Sequence, residues 1–189
     1  MEEKKKIKRI NLLQLSIRKT LDNDDYASLT WGVRNNYPRI QVFTSKDFKK
    51  EDGTADYDKL IIAPFTYPII FTLISNLEAL AKNSELKTPP ISKIECFNTK
   101  FVDNKRTDEI EKQAEVKITR NNDNVICIGV KNDKHEIYFP LLPDTKWHKF
   151  YTKNGEEITN QVILSNIQTL SYVNLLKNTF ADTLLIKPE

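Results

Sequence analysis

Between Tyr26 and Thr44 apolar and polar residues alternate with a period of two, the pattern of strands that bury one face. Ala27, Leu29, Trp31 and Val33 fall on one side of Tyr26 to Val33, and Tyr26, Ser28 and Thr30 on the other. Asn35-Asn36 suits a tight hairpin turn, and Tyr37 to Thr44 follows, with Ile40 and Val42 inward and Tyr37, Arg39, Gln41 and Phe43 outward. Upstream, Ile7 to Lys19 reads as a first strand, with Leu13, Leu15 and Ile17 set against Gln14, Ser16 and Arg18. Ile10 and Leu12 break that alternation and leave a short helix as the competing reading. Asp22 to Asp25 supply a turn. Beyond a polar loop, Ser45 to Asp58, a short apolar strand spans Lys59 to Ala63. The spacing then changes to that of a helix. Thr66 stands at the N-cap position and Pro68 in the first turn, and Ile69, Ile70, Leu73, Ile74, Leu77 and Leu80 form one stripe up to about Lys82.

The same order of elements recurs after the stiff Pro89-Pro90 linker. Ile91 to Val102 is extended, Asp103 to Lys112 reads as a charged loop, and Ala114 to Arg120, Val125 to Lys131 and His135 to Phe139 form a meander. Its turns are Asn121 to Asn124 and Asn132-Asp133. A long helix begins near Thr159, with Ile163, Ile167, Leu170, Val173 or Asn174, Leu176 and Phe180 at helical spacing. The chain is therefore expected to be an α+β protein. It consists of two strand-strand-strand-strand-helix pseudo-repeats, 7–83 and 91–180, forming antiparallel sheets with helices packed on one side of a single domain.

Composition narrows the function classes. Of 189 residues, 39% are apolar and 29% charged, with a formal net charge of +3, so the placement of charge matters more than its sum. The charged N-terminus is followed by no signal-peptide core, and no run approaches the roughly 18–20 apolar residues of a membrane span. A soluble, cytoplasmic protein without a membrane partner is expected. Cys96 and Cys127 lie in apolar strands and read as buried free thiols of a reducing compartment.

Candidate chemistry is sparse. His135 and His148 have no ligand partner at helical spacing, no Cys-x-x-Cys occurs, and Gly32, Gly53, Gly129 and Gly155 form neither a P-loop nor a dinucleotide fingerprint. Carboxylates gather in turns and charged loops, where acid-base catalysis has no tuned environment. No metal, no cofactor and no enzymatic activity are expected.

The outward face of the hairpin carries a different signal. Tyr26, Thr30, Tyr37, Arg39, Gln41 and Phe43, with Arg34 at the turn, alternate on a side that the core does not need. Aromatic rings can stack on unpaired bases while guanidinium groups engage phosphates. The alternative is that the Ser45 to Asp58 loop or a second subunit covers Tyr37 and Phe43. Trp31 shares a face with Leu29 and Val33 and reads as core. Lys4, Lys5, Lys6, Lys8 and Arg9 are candidates for a phosphate-contacting arm, or for a solubilising terminus. Lys93, Lys100, Lys105, Arg106, Lys117, Arg120 and Lys131, interleaved with glutamates, read as ordinary surface. Trp147 to Tyr151 is aromatic and basic, and either stacks on bases or anchors its loop.

The twice-repeated plan resembles the Whirly and Pur-type single-stranded nucleic-acid-binding proteins. The segment Leu29-Thr30-Trp31-Gly32-Val33-Arg34-Asn35-Asn36-Tyr37-Pro38-Arg39-Ile40, followed by Ile61-Ile62-Ala63-Pro64-Phe65, resembles bacteriophage single-stranded DNA-binding proteins of this broad class. The resemblance implies largely sequence-independent binding of single-stranded DNA in phage-type replication, recombination or repair, and assembly as a homo-oligomer. An RNA-binding protein and a protein-protein interaction module on the same scaffold are the alternatives. The chain departs from many such binders at its end, Leu184 to Glu189, which carries no acidic run.

Overall fold

The computed structural model describes residues 17–20, 26–34, 37–47, 49–54, 56–102 and 105–185. Two four-stranded antiparallel sheets follow one another, each closed by a helix. The first has the order β1 (Ile17–Thr20), β2 (Tyr26–Arg34), β3 (Tyr37–Phe43) and β4 (Leu60–Pro64), with helix α1 (Tyr67–Lys82) after it. The second has the order β5 (Lys93–Val102), β6 (Lys105–Arg120), β7 (Ile126–Lys131) and β8 (Glu136–Pro140), followed by α2 (Gln161–Leu185). The expected α+β repeat is present. The first expected strand is described only from Ile17 onward, and its Ile7 to Ser16 portion and the Asp22 to Asp25 turn lie outside the described residues. No helix among the described residues is long and apolar enough to cross a membrane.

The inner faces of both sheets and the two helices share one core. In the first sheet this face presents Leu29, Val42 and Ile61 in one cross-strand row and Trp31, Ile40 and Ala63 in the next. Trp31 lies edge-on to Tyr172 and Phe180 of α2, with ring centroids 6.2 and 6.1 Å away, so the helix of the second half covers the sheet of the first. Such aromatic pairs add about 0.5–1.5 kcal/mol to the burial itself. Glu78 of α1 joins the helices by accepting from Lys177 of α2 as well as from Lys82, 2.7 Å away.

These lysines hold the Glu78 carboxyl below the ordinary value of 4.5. A depressed carboxylate stabilises the fold above its unfolded pKa and loses that contribution as pH falls through its folded pKa. Glu78→Gln is therefore expected to lower the melting temperature at neutral pH, and the deficit to vanish once the pH drops below the folded value. Parallel melts of both proteins from pH 7 to pH 3 would show the two curves converging.

Several elements differ from their sequence expectation. Asp103 to Lys112, read as a loop, is strand from Lys105 onward: β6 runs for 16 residues and pairs with β5 out to Val102↔Lys105. Because β7 pairs only with residues 115–120 of β6, the outer parts of β5 and β6 form a two-stranded ribbon that extends past the sheet. Register shifts at Cys96/Phe97 and Thr99/Phe101 mark where it bends. In α2 the buried stripe is Leu164, Ser165, Thr169, Tyr172, Val173, Leu176 and Phe180, while Ile163 and Ile167 are exposed. The helix also starts two residues later than expected, because the Asn160 side chain caps it by accepting from the Val162 and Ile163 amides at 2.9 and 3.2 Å. In α1, Ile69 is exposed and Asn76 is buried instead. The Asn76 amide donates to the Thr72 carbonyl and accepts from the Ile91 amide, which ties down the Pro89-Pro90 linker.

Arg120, read as surface, is buried. Its guanidinium donates to the carbonyls of Leu80 at 2.6 Å, Asn124 at 2.7 Å and Leu86 at 3.1 Å, and to Asn166 Oδ1 at 2.9 Å. A single side chain thus closes the C-terminus of α1, the linker, the β6–β7 turn and α2 on one another. Both cysteines are free and buried, and burial pushes the Cys96 thiol up to about 12. Gly129 has a packing reason: a Cβ there would stand 2.5 Å from the Tyr138 ring, which lies across it on the outer face of the second sheet.

Candidate nucleic-acid interface

The first sheet turns its outer face away from the core. Its residues fall in five cross-strand rows, read directly from the register. At the hairpin tip Arg34 stands opposite Tyr37. The next row holds Gly32, Arg39 and Pro64, and the third Thr30, Gln41 and Ile62. Arg18, Ser28, Phe43 and Leu60 make the fourth, and Tyr26 stands in the fifth. The strand alternation that buries Leu29, Trp31, Ile40 and Val42 necessarily projects this second set outward.

Accessibility varies along the rows. Arg34 is exposed and Tyr37 is 61% exposed. Tyr26, Arg39, Gln41 and Phe43 are half-buried, with the Arg39 Nε sequestered and the Arg18 guanidinium 5.3 Å above the Tyr26 ring. Thr30 requires a correction. It is only 7% exposed, and its hydroxyl donates to the Gln41 carbonyl at 3.3 Å, so its short side chain ties two strands together and does not present a ligand contact. Lys4, Lys5, Lys6 and Arg9 lie outside the described residues. The Ser45 to Asp58 loop leaves from the Phe43 end, and Tyr37 and Arg34 stand at the opposite end of the hairpin, exposed.

Electrostatics separates the two sheets. Strands β1 to β4 contain no aspartate or glutamate, yet carry Arg18, Lys19, Arg34 and Arg39. The outer face of the second sheet is laced with ion pairs. Glu95 meets Lys93 at 3.3 Å and Lys112 at 2.9 Å, Glu115 meets the same two lysines at 3.7 and 2.9 Å, and Glu136 meets Lys131 at 3.1 Å. Bonds from Lys112 and Lys93 hold the Glu95 carboxyl below its ordinary range, and the bond from Lys131 does the same for Glu136. A phosphate approaching that sheet meets Lys93, Lys112 and Lys131 already neutralised by carboxylates. On the first sheet it meets arginines with no carboxylate on the strands around them.

Two further aromatic or apolar groups stand on the surface. The ribbon exposes Phe97 (52%) and Ile110 (72%), but Lys100 is paired with Glu109 at 2.8 Å, and Asp108 and Glu111 add acid beside it. Trp147 is 73% exposed, with the Lys146 ammonium 5.1 Å from its ring, so it does not anchor its loop. Below that loop a cleft of about 180 Å³, lined by Phe150, Ile158 and Leu164, has the Lys149–Glu157 ion pair, 2.8 Å long, in its wall. The ribbon sets carboxylates among its cations, and the loop has the single Lys146 beside Trp147. Among the described residues no group of three His, Cys, Asp or Glu side chains is placed to hold a metal ion.

Fold and surface together define an α+β protein of two four-stranded antiparallel sheets and two helices, a shape consistent with a nucleic-acid-binding scaffold. It is compatible with the Whirly and Pur-type plan without identifying a member of it. No family model, no curated protein and no solved structure matches the chain.

Proposed function

We propose that the outer face of the first sheet binds single-stranded DNA with little sequence preference and without chemical change to it. The observation that carries this reading is the pairing of exposed Tyr37 and Arg34 with half-buried Arg39, Phe43 and Tyr26 on a sheet whose strands contain no carboxylate. Bases stack on the rings, which is sequence-tolerant because every base has a π-face. The arginines neutralise phosphates, which is equally indifferent to sequence. Phage-type replication, recombination or repair is the setting that the Leu29 to Ile40 resemblance suggests.

A polarisation titration with a dye-labelled oligothymidylate tests the proposal. Intrinsic fluorescence is a poor reporter here, because Trp31 is buried and Trp147 belongs to the loop beyond β8. Three arginines on three phosphates should give a slope of log K against log salt of about −2 for a single strand. Absence of binding at low salt, or binding unaffected by salt, would contradict the proposal and favour a protein-interaction role for the chain.

A further inference from the structure

We infer that the strand lies along the β2–β3 hairpin, not across it, in an extended and unstacked form with one nucleotide per cross-strand row, so that the chain has a footprint of about five nucleotides. The inference rests on the proposed function above and deepens it.

Three observations carry it. First, the contact groups are dispersed along the hairpin axis. Arg34 and Tyr37 occupy the first row, Arg39 the second, Gln41 the third, Arg18 and Phe43 the fourth, and Tyr26 the fifth. Every row therefore holds at least one polar, cationic or aromatic side chain of the outer face. A path across the sheet follows a single row and meets at most one cation: the row of Arg18, Ser28, Phe43 and Leu60 has its cation at one margin and a leucine at the other, and the row of Thr30, Gln41 and Ile62 holds no cation at all.

Second, the row spacing selects a conformation. Same-face residues in a strand recur about every 6.6 Å. That is about twice the 3.4 Å rise per base of a stacked strand in a duplex. One base per row is thus the fit for a strand whose bases are pulled apart, with room between them for a ring such as Tyr37 or Phe43. Five rows span about 26 Å from first to last.

Third, both ends of the track carry a ring and a cation. The tip has an exposed cation and ring, while the far end has Tyr26 held under the Arg18 guanidinium. A paired duplex, whose base faces are already stacked inside it, cannot offer them to the rings and is left with the arginine contacts alone.

The test is a length series of labelled oligothymidylates of three to ten nucleotides, alongside a blunt duplex of ten base pairs, at fixed low salt. Affinity should climb steeply with each nucleotide up to five and thereafter rise only weakly. The duplex should bind at least 100-fold more weakly than the ten-nucleotide strand. Arg34→Ala with Tyr37→Ala removes one end of the track and should move the plateau to four nucleotides or fewer. A plateau at two or three in the unaltered protein, a plateau beyond eight, or a plateau that the tip substitutions leave in place would overturn the inference while sustaining single-strand binding itself. If no strand of any length binds, the proposed function fails along with it.

Discussion

Replacing Arg34 and Tyr37 together by alanine is expected to weaken oligothymidylate binding by about 2–4 kcal/mol, or roughly 30- to 700-fold, with most of the loss coming from the stacked base. Both side chains are exposed at the hairpin tip, so the melting temperature should stay where it is: surface substitutions of this kind fall within about 0.5 kcal/mol. This pair separates function from folding better than one including Arg39, whose Nε is buried and whose loss would disturb the sheet as well. The variant's salt slope should also be shallower by about 0.7, one phosphate contact having gone. Calorimetric melting checks the first half of the expectation and a polarisation titration the second. A variant that binds normally would mean the tip is not part of the interface.

The largest effect on stability is expected from Arg120→Met. The substitution keeps an unbranched apolar stem but removes the guanidinium donors from the carbonyls of Leu86 and Asn124 and the amide oxygen of Asn166, and leaves the Leu80 carbonyl only the Asn83 amide. A buried polar group left without a partner costs about 1–3 kcal/mol, and several share this fate, so a loss of at least about 3 kcal/mol is expected even with some relaxation. In a chain of this size that corresponds to roughly 6–12 °C in melting temperature. Arg120→Lys should recover only part of it, because an ammonium cannot reproduce the planar fork that reaches four segments at once. A melting temperature unchanged in Arg120→Met would show that water or neighbouring donors can replace the guanidinium.

Arg120 also shows how a residue can be legible and still be misread. Ala114, Val116, Ile118 and Arg120 share one phase of the period-two pattern, and the first three are plainly core. The same alternation that makes Trp31 a core residue therefore places Arg120 inward. Its charge argued for the surface, and the argument failed because three of the acceptors it meets, on Leu80, Leu86 and Asn166, are 34 to 46 residues away in sequence. The β2–β3 hairpin was legible for the opposite reason. Its alternation is strict, its turn residues are local, and one face is so apolar that a register slip would expose Trp31 and Ile40.

The ribbon was illegible because charge density masks β-pattern: Lys105 to Lys112 contains six charged residues, and only Thr107 and Ile110 hint at a strand. Its pairing is set by β5, a segment that local pattern cannot connect to it. Helix α2 failed differently. It carries apolar residues on two faces, Ile163 and Ile167 on one and Leu164, Tyr172 and Val173 on another, and the choice between them is made by Trp31 from the other half of the chain. In the candidate interface, alternation correctly sent Tyr37, Arg39, Gln41 and Phe43 to the outer face. It could not foresee that Thr30, on that same face, would be nearly enclosed. Nor did residue-by-residue reading register that β1 to β4 lack carboxylates as a group, although the four strands say so in plain sequence once their membership in one sheet is known.

The central claim is that the outer face of the first sheet, and no other surface, holds the strand. Photo-crosslinking of an oligonucleotide carrying 5-iodouracil, followed by mass spectrometry of the adducts, tests it most directly. Adducts on Tyr37, Phe43 and Tyr26 are the predicted result. Adducts concentrated on Phe97 of the ribbon or on Trp147 and Tyr151, with the Tyr26 to Phe43 hairpin unmodified, would contradict it.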